Sequence, residues 1–288
     1  MLHTSFKKIL LILSGGAVLA FLHYVFSGQI ILPQIFSLGP FTTRYYGLIM
    51  ALAVASGFYL AKKRAGEYGI DSKLADDLIF WIIVGGFIGA RLYHILSSIG
   101  YYQNHLIDTF KVWNGGLSIY GAVLGGLSVI LLLATSYHLQ ITRLLNWLTP
   151  SLILGQIIGR FGNLFNYEAY GYPTNLPWRM FVPEAFRPGA FSGFNFFHPW
   201  FLYEQLGLLA IFFILRTKRK SGESNLFLAY VLLYNILRFA LEFLRIDSVL
   251  WQGFRQNAAV SLLLSLLAAV LICGRSLRTA EKKYVSTP

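Results

Sequence analysis

The sequence predicts an all-α polytopic membrane protein, and three observations carry that prediction. First, 56% of its 288 residues are hydrophobic and only 12% are charged, whereas soluble domains run at about 45–50% apolar and about 25% charged. Mean hydropathy is accordingly high, at +0.59. Second, the apolar residues gather into windows of the roughly 17–25 residues that a helix needs to cross the bilayer core. Third, the basic residues fall between those windows in clusters that one topology places on a single side. Low charge and 16% aromatic residues exclude a disordered chain. One cysteine, Cys273, excludes an intramolecular disulfide framework.

Eight windows qualify: residues 9–26, 45–61, 78–96, 117–135, 144–164, 199–215, 225–244 and 257–273. The first follows Lys7 and Lys8 in the manner of a signal peptide. No convincing small-residue cleavage site comes after it, so residues 1–30 are expected to stay as an extra N-terminal anchor. With the amino terminus inside, one face of the membrane collects Lys7, Lys8, Lys62, Lys63, Arg64, Lys73 and Arg143. The same face takes Arg216, Lys218, Arg219, Lys220, Arg275, Arg278, Lys282 and Lys283, which makes 15 of the 24 basic residues. Basic loops face the cytoplasm, so both termini are expected there, with residues 274–288 as a cytoplasmic tail. The net charge of +12 is then mostly a topology signal, and no nucleic-acid partner is expected. Residues 167–197, rich in Gly, Pro and aromatics, form the one long stretch between spans and read as an ordered extracytoplasmic cap. Glycines four apart at 85/89, 121/125 and 155/159 suit close helix packing.

Nine basic residues remain: Arg44, Arg91, Lys111, Arg160, Arg179, Arg187, Arg238, Arg245 and Arg255. A charge near the centre of a membrane helix costs about 2.5–3.5 kcal/mol even on the low estimate, so such residues usually face a partner or a polar cavity. In the seventh window Tyr234, Arg238, Glu242 and Arg245 recur at i, i+4, i+8 and i+11, one helical face. In the fifth, Arg160, Asn163 and Tyr167 share a face, and Asn166 and Glu168 follow at once. Planar guanidinium forks match carboxylate or phosphate two-pronged. The pattern fits an anionic lipid headgroup, handled by either a phospholipid-using transferase or an anion transporter. No HExxH or other convincing metal-ligand cluster, phosphate loop or GxSxG elbow is present. His94, His105 and His138 read as interfacial or loop residues, and Cys273 as a small packing residue.

The string Gly159-Arg160-Phe161-Gly162-Asn163-Leu164-Phe165-Asn166-Tyr167-Glu168-Ala169-Tyr170-Gly171 resembles the signature of the prolipoprotein diacylglyceryl transferase family along its whole length. Further blocks follow in that family's order. They are Phe36-Ser37-Leu38-Gly39-Pro40, Arg44-Tyr45-Tyr46-Gly47, Gly85-Gly86-Phe87-Ile88-Gly89-Ala90-Arg91 and Trp113-Asn114-Gly115-Gly116-Leu117. After these come His198-Pro199 with Leu202-Tyr203-Glu204, and the run from Arg238 to Arg245. The resemblance covers roughly residues 31–273 and implies a seven-helix transferase core in a bacterial cytoplasmic (inner) membrane. The first window lies outside it. The implied reaction moves the diacylglyceryl group of phosphatidylglycerol to the lipobox cysteine thiol of a preprolipoprotein. A thioether forms, glycerol 1-phosphate leaves, and no metal or organic cofactor is expected.

On that resemblance Tyr46, Asn163 and Gly171 occupy positions the family treats as essential, and Arg160, Glu168, Arg238 and Glu242 its other functional positions. Arg160 and Arg238 are expected to clamp the phosphate, with Glu168 and Glu242 holding those arginines and the glycerol hydroxyls. Asn163 positions the headgroup and Tyr46 closes the lipid site. Asn166, Tyr234, Arg245, His198 and Glu204 complete the expected substrate-binding set. One departure concerns the proton acceptor: many members carry histidine where this chain has Tyr120. A tyrosine of pKa about 10 is a poor base at neutral pH. Tyr120 is therefore an oriented hydrogen-bond group, or the base lies elsewhere, or the thiol needs none. At 251–257 only Gly253 and Gln256 match the family. Two other readings compete: a transporter of anionic lipid or solute, and a lipid-binding paralogue without catalysis.

Overall fold

The computed structural model describes residues 16–39, 41–218, 225–251 and 253–285. The start of the first window with Lys7 and Lys8, and the basic pair Arg219 and Lys220, lie outside the described residues. Helix α1 runs over Gly16–Phe26. It is followed by α2 (Tyr45–Arg64), α3 (Ser72–Ser97), the single turn α4 (Ile99–Tyr102), α5 (Ile119–Ser136) and α6 (Ile141–Asn166). The chain ends with α7 (Trp200–Lys218), α8 (Leu226–Glu242) and α9 (Gln256–Val285).

Among the described residues four segments are long and apolar enough to cross a membrane: Tyr45–Tyr68, Ser72–Ser97, Ile119–Ser136 and Gln256–Leu277. The protein is a helical, polytopic membrane protein, as predicted. Helices α6, α7 and α8 fill three more of the predicted windows but fall outside that group. Helix α8 has only 17 residues, and all three carry the polar faces described below.

Three short antiparallel ribbons were not predicted. Strands β1 (Ile35–Leu38) and β2 (Phe41–Arg44) pair from Ile35 with Arg44 to Leu38 with Phe41, turning at Gly39 with φ of +60°. The second ribbon joins β3 (Met180–Phe181) to β4 (Phe196–Phe197), and the third β5 (Leu250–Trp251) to β6 (Phe254–Arg255). Each strand has at most four residues, too short for alternation to show in the sequence. The usable signals were the turn residues, Gly-Pro at 39–40 and Gly253.

Two compact units result. The first draws its described residues from Met1–Val54, Ile153–Thr217 and Leu228–Pro288, the second from Ala55–Leu152 and Lys218–Phe227. The second unit is centred on Leu78, Leu144 and Trp147, with Trp147 Nε1 donating to Ala61 O at 2.9 Å. Pro150 inside α6 removes the donor that Asn146 O would otherwise receive, and the Tyr68 hydroxyl supplies one at 3.3 Å. Asp71 caps α3 by accepting from Lys73 N at 2.9 Å.

The glycine spacings meet across α3 and α5. A Cβ at Gly89 would fall on Gly121 O, and one at Gly125 on Gly85 O, so these helices touch backbone to backbone. A Gly89→Leu substitution is expected to destabilise this pair by about 1–3 kcal/mol, the usual cost of overpacking. The apparent melting temperature in detergent checks this. Arg91, one of the unassigned cations, donates to Thr109 O, Gly115 O and Gly116 O at 2.8–3.0 Å and to Asp108 O. It tethers the loop before α5 and is spent on structure.

The first unit packs around Leu164, Tyr167, Met180, Phe197 and Trp200. Helix α1 belongs to this core: Val25 is 2% exposed, and the Phe26 ring meets Phe201 edge-on at 6.5 Å. Cys273, expected to pack, is instead exposed.

Candidate functional site

The site lies in the first unit, where α6, α7 and α8 bring buried charges together. On α8 Tyr230, Tyr234, Arg238 and Glu242 stand four residues apart on one face. On α7 Trp200 and Glu204 have the same spacing. Pro199 sits just ahead of α7, where its fixed φ suits a helix start. Helix α6 delivers Arg160 and Asn163 from its last two turns.

Arg160 Nη2 lies 2.6 Å from Glu204 Oε1, and the Tyr234 hydroxyl donates to the same oxygen at 2.8 Å. Tyr230 stacks on Tyr234 and donates to Gln156 Oε1 at 2.9 Å. The second pair is Arg238 Nη1 with Glu242 Oε2 at 2.9 Å. Asn257 Nδ2 donates to Glu242 Oε1 at 3.2 Å. Both glutamates are fully buried, where a carboxylate persists only with compensating partners. The second oxygen of Glu204 has none. Among the described residues Arg238 makes no hydrogen bond to protein, and Glu242 is its one carboxylate contact. Most of its five N–H donors therefore lack a protein acceptor among the described residues.

The chain leaves α6 through a strained turn. Tyr167 and Ala169 both have positive φ, +51° and +53°, a costly backbone for non-glycine residues that clusters at functional sites. The reversal returns the Glu168 carboxylate to Asn163, whose Nδ2 donates to Oε1 at 2.9 Å. Glu168 thus holds Asn163, and Glu204 is the carboxylate on Arg160. Arg160 also reaches Asn163 Oδ1, at 3.5 Å. Tyr167, placed on the Arg160 face by helical spacing, lies past the helix end and accepts from Leu32 N at 2.6 Å. Asn166 Oδ1 is buried without a partner. Tyr46, early in α2, packs on Gly162, where a Cβ would meet its ring at 2.7 Å.

Arg245 also departs from the predicted stripe, because α8 stops at Glu242. It lies in the following turn, bridged to Gly171, and its fork grips Asp247, with Nη2 to Oδ2 at 2.8 Å. Burial alone would raise the Asp247 carboxyl, but the Arg245 fork outweighs it and holds the group below its ordinary value. Gly171 is required here, since a Cβ would lie 2.5 Å from Leu244 O and 2.9 Å from His198 Cβ. His198 Nδ1 is 3.0 Å from the Tyr203 hydroxyl. Burial pushes its imidazole below the ordinary value, so His198 is neutral at pH 7.

Of the residues expected from the sequence, Arg160, Asn163, Glu168, Glu204 and Tyr234 form one group, Arg238 and Glu242 a second, and Gly171, His198 and Arg245 a third, with Tyr46 against Gly162. Tyr120 belongs to the second unit, on α5, 54% exposed, its ring 6.0 Å from that of Tyr93. Sequence reasoning missed Trp200, Asp247 and Asn257. The Trp200 ring centroid lies 4.6 Å from Arg238 Cζ, 5.0 Å from Arg245 Cζ and 5.9 Å from Arg160 Cζ. The available signal was a tryptophan four residues before a buried glutamate. Three further cations are structural: Arg255 ties down Glu242 O and Arg245 O, Arg187 binds Val182 O and Ser192 O, and Arg179 covers the Phe196 ring. Among the described residues no three His, Cys, Asp or Glu side chains gather as a metal site needs.

Comparison with known proteins adds the following. A family model described as prolipoprotein diacylglyceryl transferase matches residues 33–273. A Thermotoga maritima protein named phosphatidylglycerol–prolipoprotein diacylglyceryl transferase is 41% identical over 280 residues, covering 91% of this chain and 94% of that protein. Proteins of the same name from Fervidobacterium nodosum and from a Synechocystis strain are 37% and 39% identical. They cover 91% and 82% of this chain, and 91% and 86% of their own lengths.

Proposed function

The chain belongs to the prolipoprotein diacylglyceryl transferase family and is a transferase of lipoprotein biosynthesis, and from that premise we propose how its buried arginines serve the reaction. The substrates are phosphatidylglycerol and a preprolipoprotein whose lipobox cysteine is the acceptor. The cysteine sulfur attacks the glyceryl carbon bearing the phosphate. The carbon–oxygen bond breaks, the thioether forms, and glycerol 1-phosphate departs with the proton that the thiol gives up. The observation that carries this reading is Arg238, partly buried beside Glu242 with no hydrogen bond to protein among the described residues. Such a group in a water-poor site stabilises charge growing on a departing phosphate. Arg160, oriented by Glu204 and Tyr234, faces the same anion. Asn163, fixed by Glu168, takes a headgroup hydroxyl, with Asn166, Tyr46 and His198 completing the binding site.

Tyr120 is not assigned the role of base: it is an oriented hydrogen-bond group, or the thiol needs no base. A Tyr120→Phe variant is expected to lose less than about tenfold in turnover, the worth of one neutral hydrogen bond. Abolished turnover with intact phosphatidylglycerol binding would return Tyr120 to the chemistry. We infer a bacterial inner-membrane location, with residues 167–197 on the side opposite the basic loops.

The reading is tested in a strain depleted of its own diacylglyceryl transferase. Expression of this chain is expected to restore growth and lipoprotein thioethers. Membrane insertion without rescue would favour a binding paralogue. Accumulation of anion in proteoliposomes without thioether would favour a transporter.

A further inference from the structure

One indole in the first unit lies against three guanidinium groups. Trp200 is fully buried, and Arg238, Arg245 and Arg160 stand 4.6, 5.0 and 5.9 Å from its ring centroid. Each arginine has its own carboxylate: Glu242 on α8, Asp247 in the turn after it, and Glu204 on α7. Each of these acids makes its direct contact with one of the three cations. Among the described residues no direct carboxylate contact links two of the guanidiniums, which repel one another. Trp200 touches all three. Its own position is fixed by Nε1 donating to Leu241 O at 2.6 Å, in the last turn of α8, and by its place at the start of α7, four residues before Glu204. A ring face attracts cations through its quadrupole, more strongly where water is excluded.

We propose that Trp200 is the positioning residue of the site, its π-system gathering Arg160, Arg238 and Arg245 into one array that meets a single phosphodiester headgroup. The inference rests on the function proposed above. It competes with a plainer role, since Trp200 also packs with Phe197 and Phe201 in the first unit's core. The two roles depend on different properties of the ring. Packing depends on size and shape, and gathering cations depends on the electron density of the face. Fluorination lowers that density and barely changes the volume.

The experiment places tryptophan and its mono-, di- and trifluorinated analogues at position 200 of the full chain, leaving the other five tryptophans unchanged. Each protein is reconstituted in nanodiscs, and its affinity for phosphatidylglycerol and its kcat/KM for thioether formation are measured. Both are expected to fall stepwise with fluorination, by about tenfold across the series, at constant melting temperature. Trp200→Phe, which keeps a ring face, is expected to retain more activity than Trp200→Leu. An affinity that does not change along the series overturns the proposal and leaves Trp200 a core residue. Absence of thioether with the unsubstituted protein overturns the reaction instead, and the affinity series still decides the role of Trp200.

Discussion

Replacing Arg238 by alanine is expected to lower thioether formation by about 10²–10³-fold, the usual effect of removing one preorganised donor from a developing anion. The size follows from the surroundings of Arg238. It lies partly buried against Trp200, touches one carboxylate, and among the described residues has no other acceptor. The departing phosphate is the acceptor proposed for its remaining N–H groups. Alanine also leaves Glu242 buried with only Asn257 on its side chain, which alone could weaken the fold. Arg238→Lys separates these effects. The ammonium keeps a counter-charge beside Glu242, so the melting temperature is retained. It cannot present a planar fork, so the rate stays low. Initial rates with phosphatidylglycerol vesicles, at matched amounts of monodisperse protein, check both variants. A lysine variant with full activity would remove the guanidinium geometry from the account.

The second large effect concerns Arg160 and Glu204. Removing one member of a buried ion pair leaves a charge without compensation and typically costs about 3–5 kcal/mol. Glu204 is fully buried and accepts from both Arg160 and Tyr234. Arg160→Leu strands its charge on α7, and Glu204→Leu strands that of Arg160 on α6. Each single variant is expected to melt well below the parent. The double variant Arg160→Leu/Glu204→Leu buries no unpaired charge and is expected to recover most of the melting temperature while remaining inactive. Stability regained without activity is the signature of a pair kept for function. A double variant as unstable as either single one would show that the site is held by packing alone.

Much of this was legible in the sequence because it depends on periodicity and on rare charges in apolar surroundings. Arg238 and Glu242 four residues apart in an otherwise oily window read as polar-cavity residues more than as a self-neutralising pair, and the structure shows the pair. The glycine spacings at 85/89 and 121/125 announced a backbone contact that α3 and α5 make. What escaped depended on where helices stop and on partners distant in sequence. Helical extrapolation carried Arg245 along α8 and Tyr167 along α6, but each helix ends one to three residues earlier. The turns send Arg245 to Gly171 and Asp247, and Tyr167 to Leu32. Glu204 was named, but nothing local identified Arg160, 44 residues away, as its partner. Trp200 was not singled out, because a cation–π contact leaves no spacing rule in the sequence. The three short ribbons were missed because none of their strands exceeds four residues.

The central claim is that this arginine-lined site moves a diacylglyceryl group from phosphatidylglycerol to a cysteine thiol. Its most direct test is mass spectrometry of a synthetic lipobox peptide incubated with the purified full chain and phosphatidylglycerol. The account predicts a peptide heavier by one diacylglyceryl group on the cysteine sulfur, with one glycerol 1-phosphate released per adduct, and loss of both products in the Arg238→Ala protein. An unmodified peptide with phosphatidylglycerol intact, or an adduct formed equally well by the Arg238→Ala protein, would contradict it.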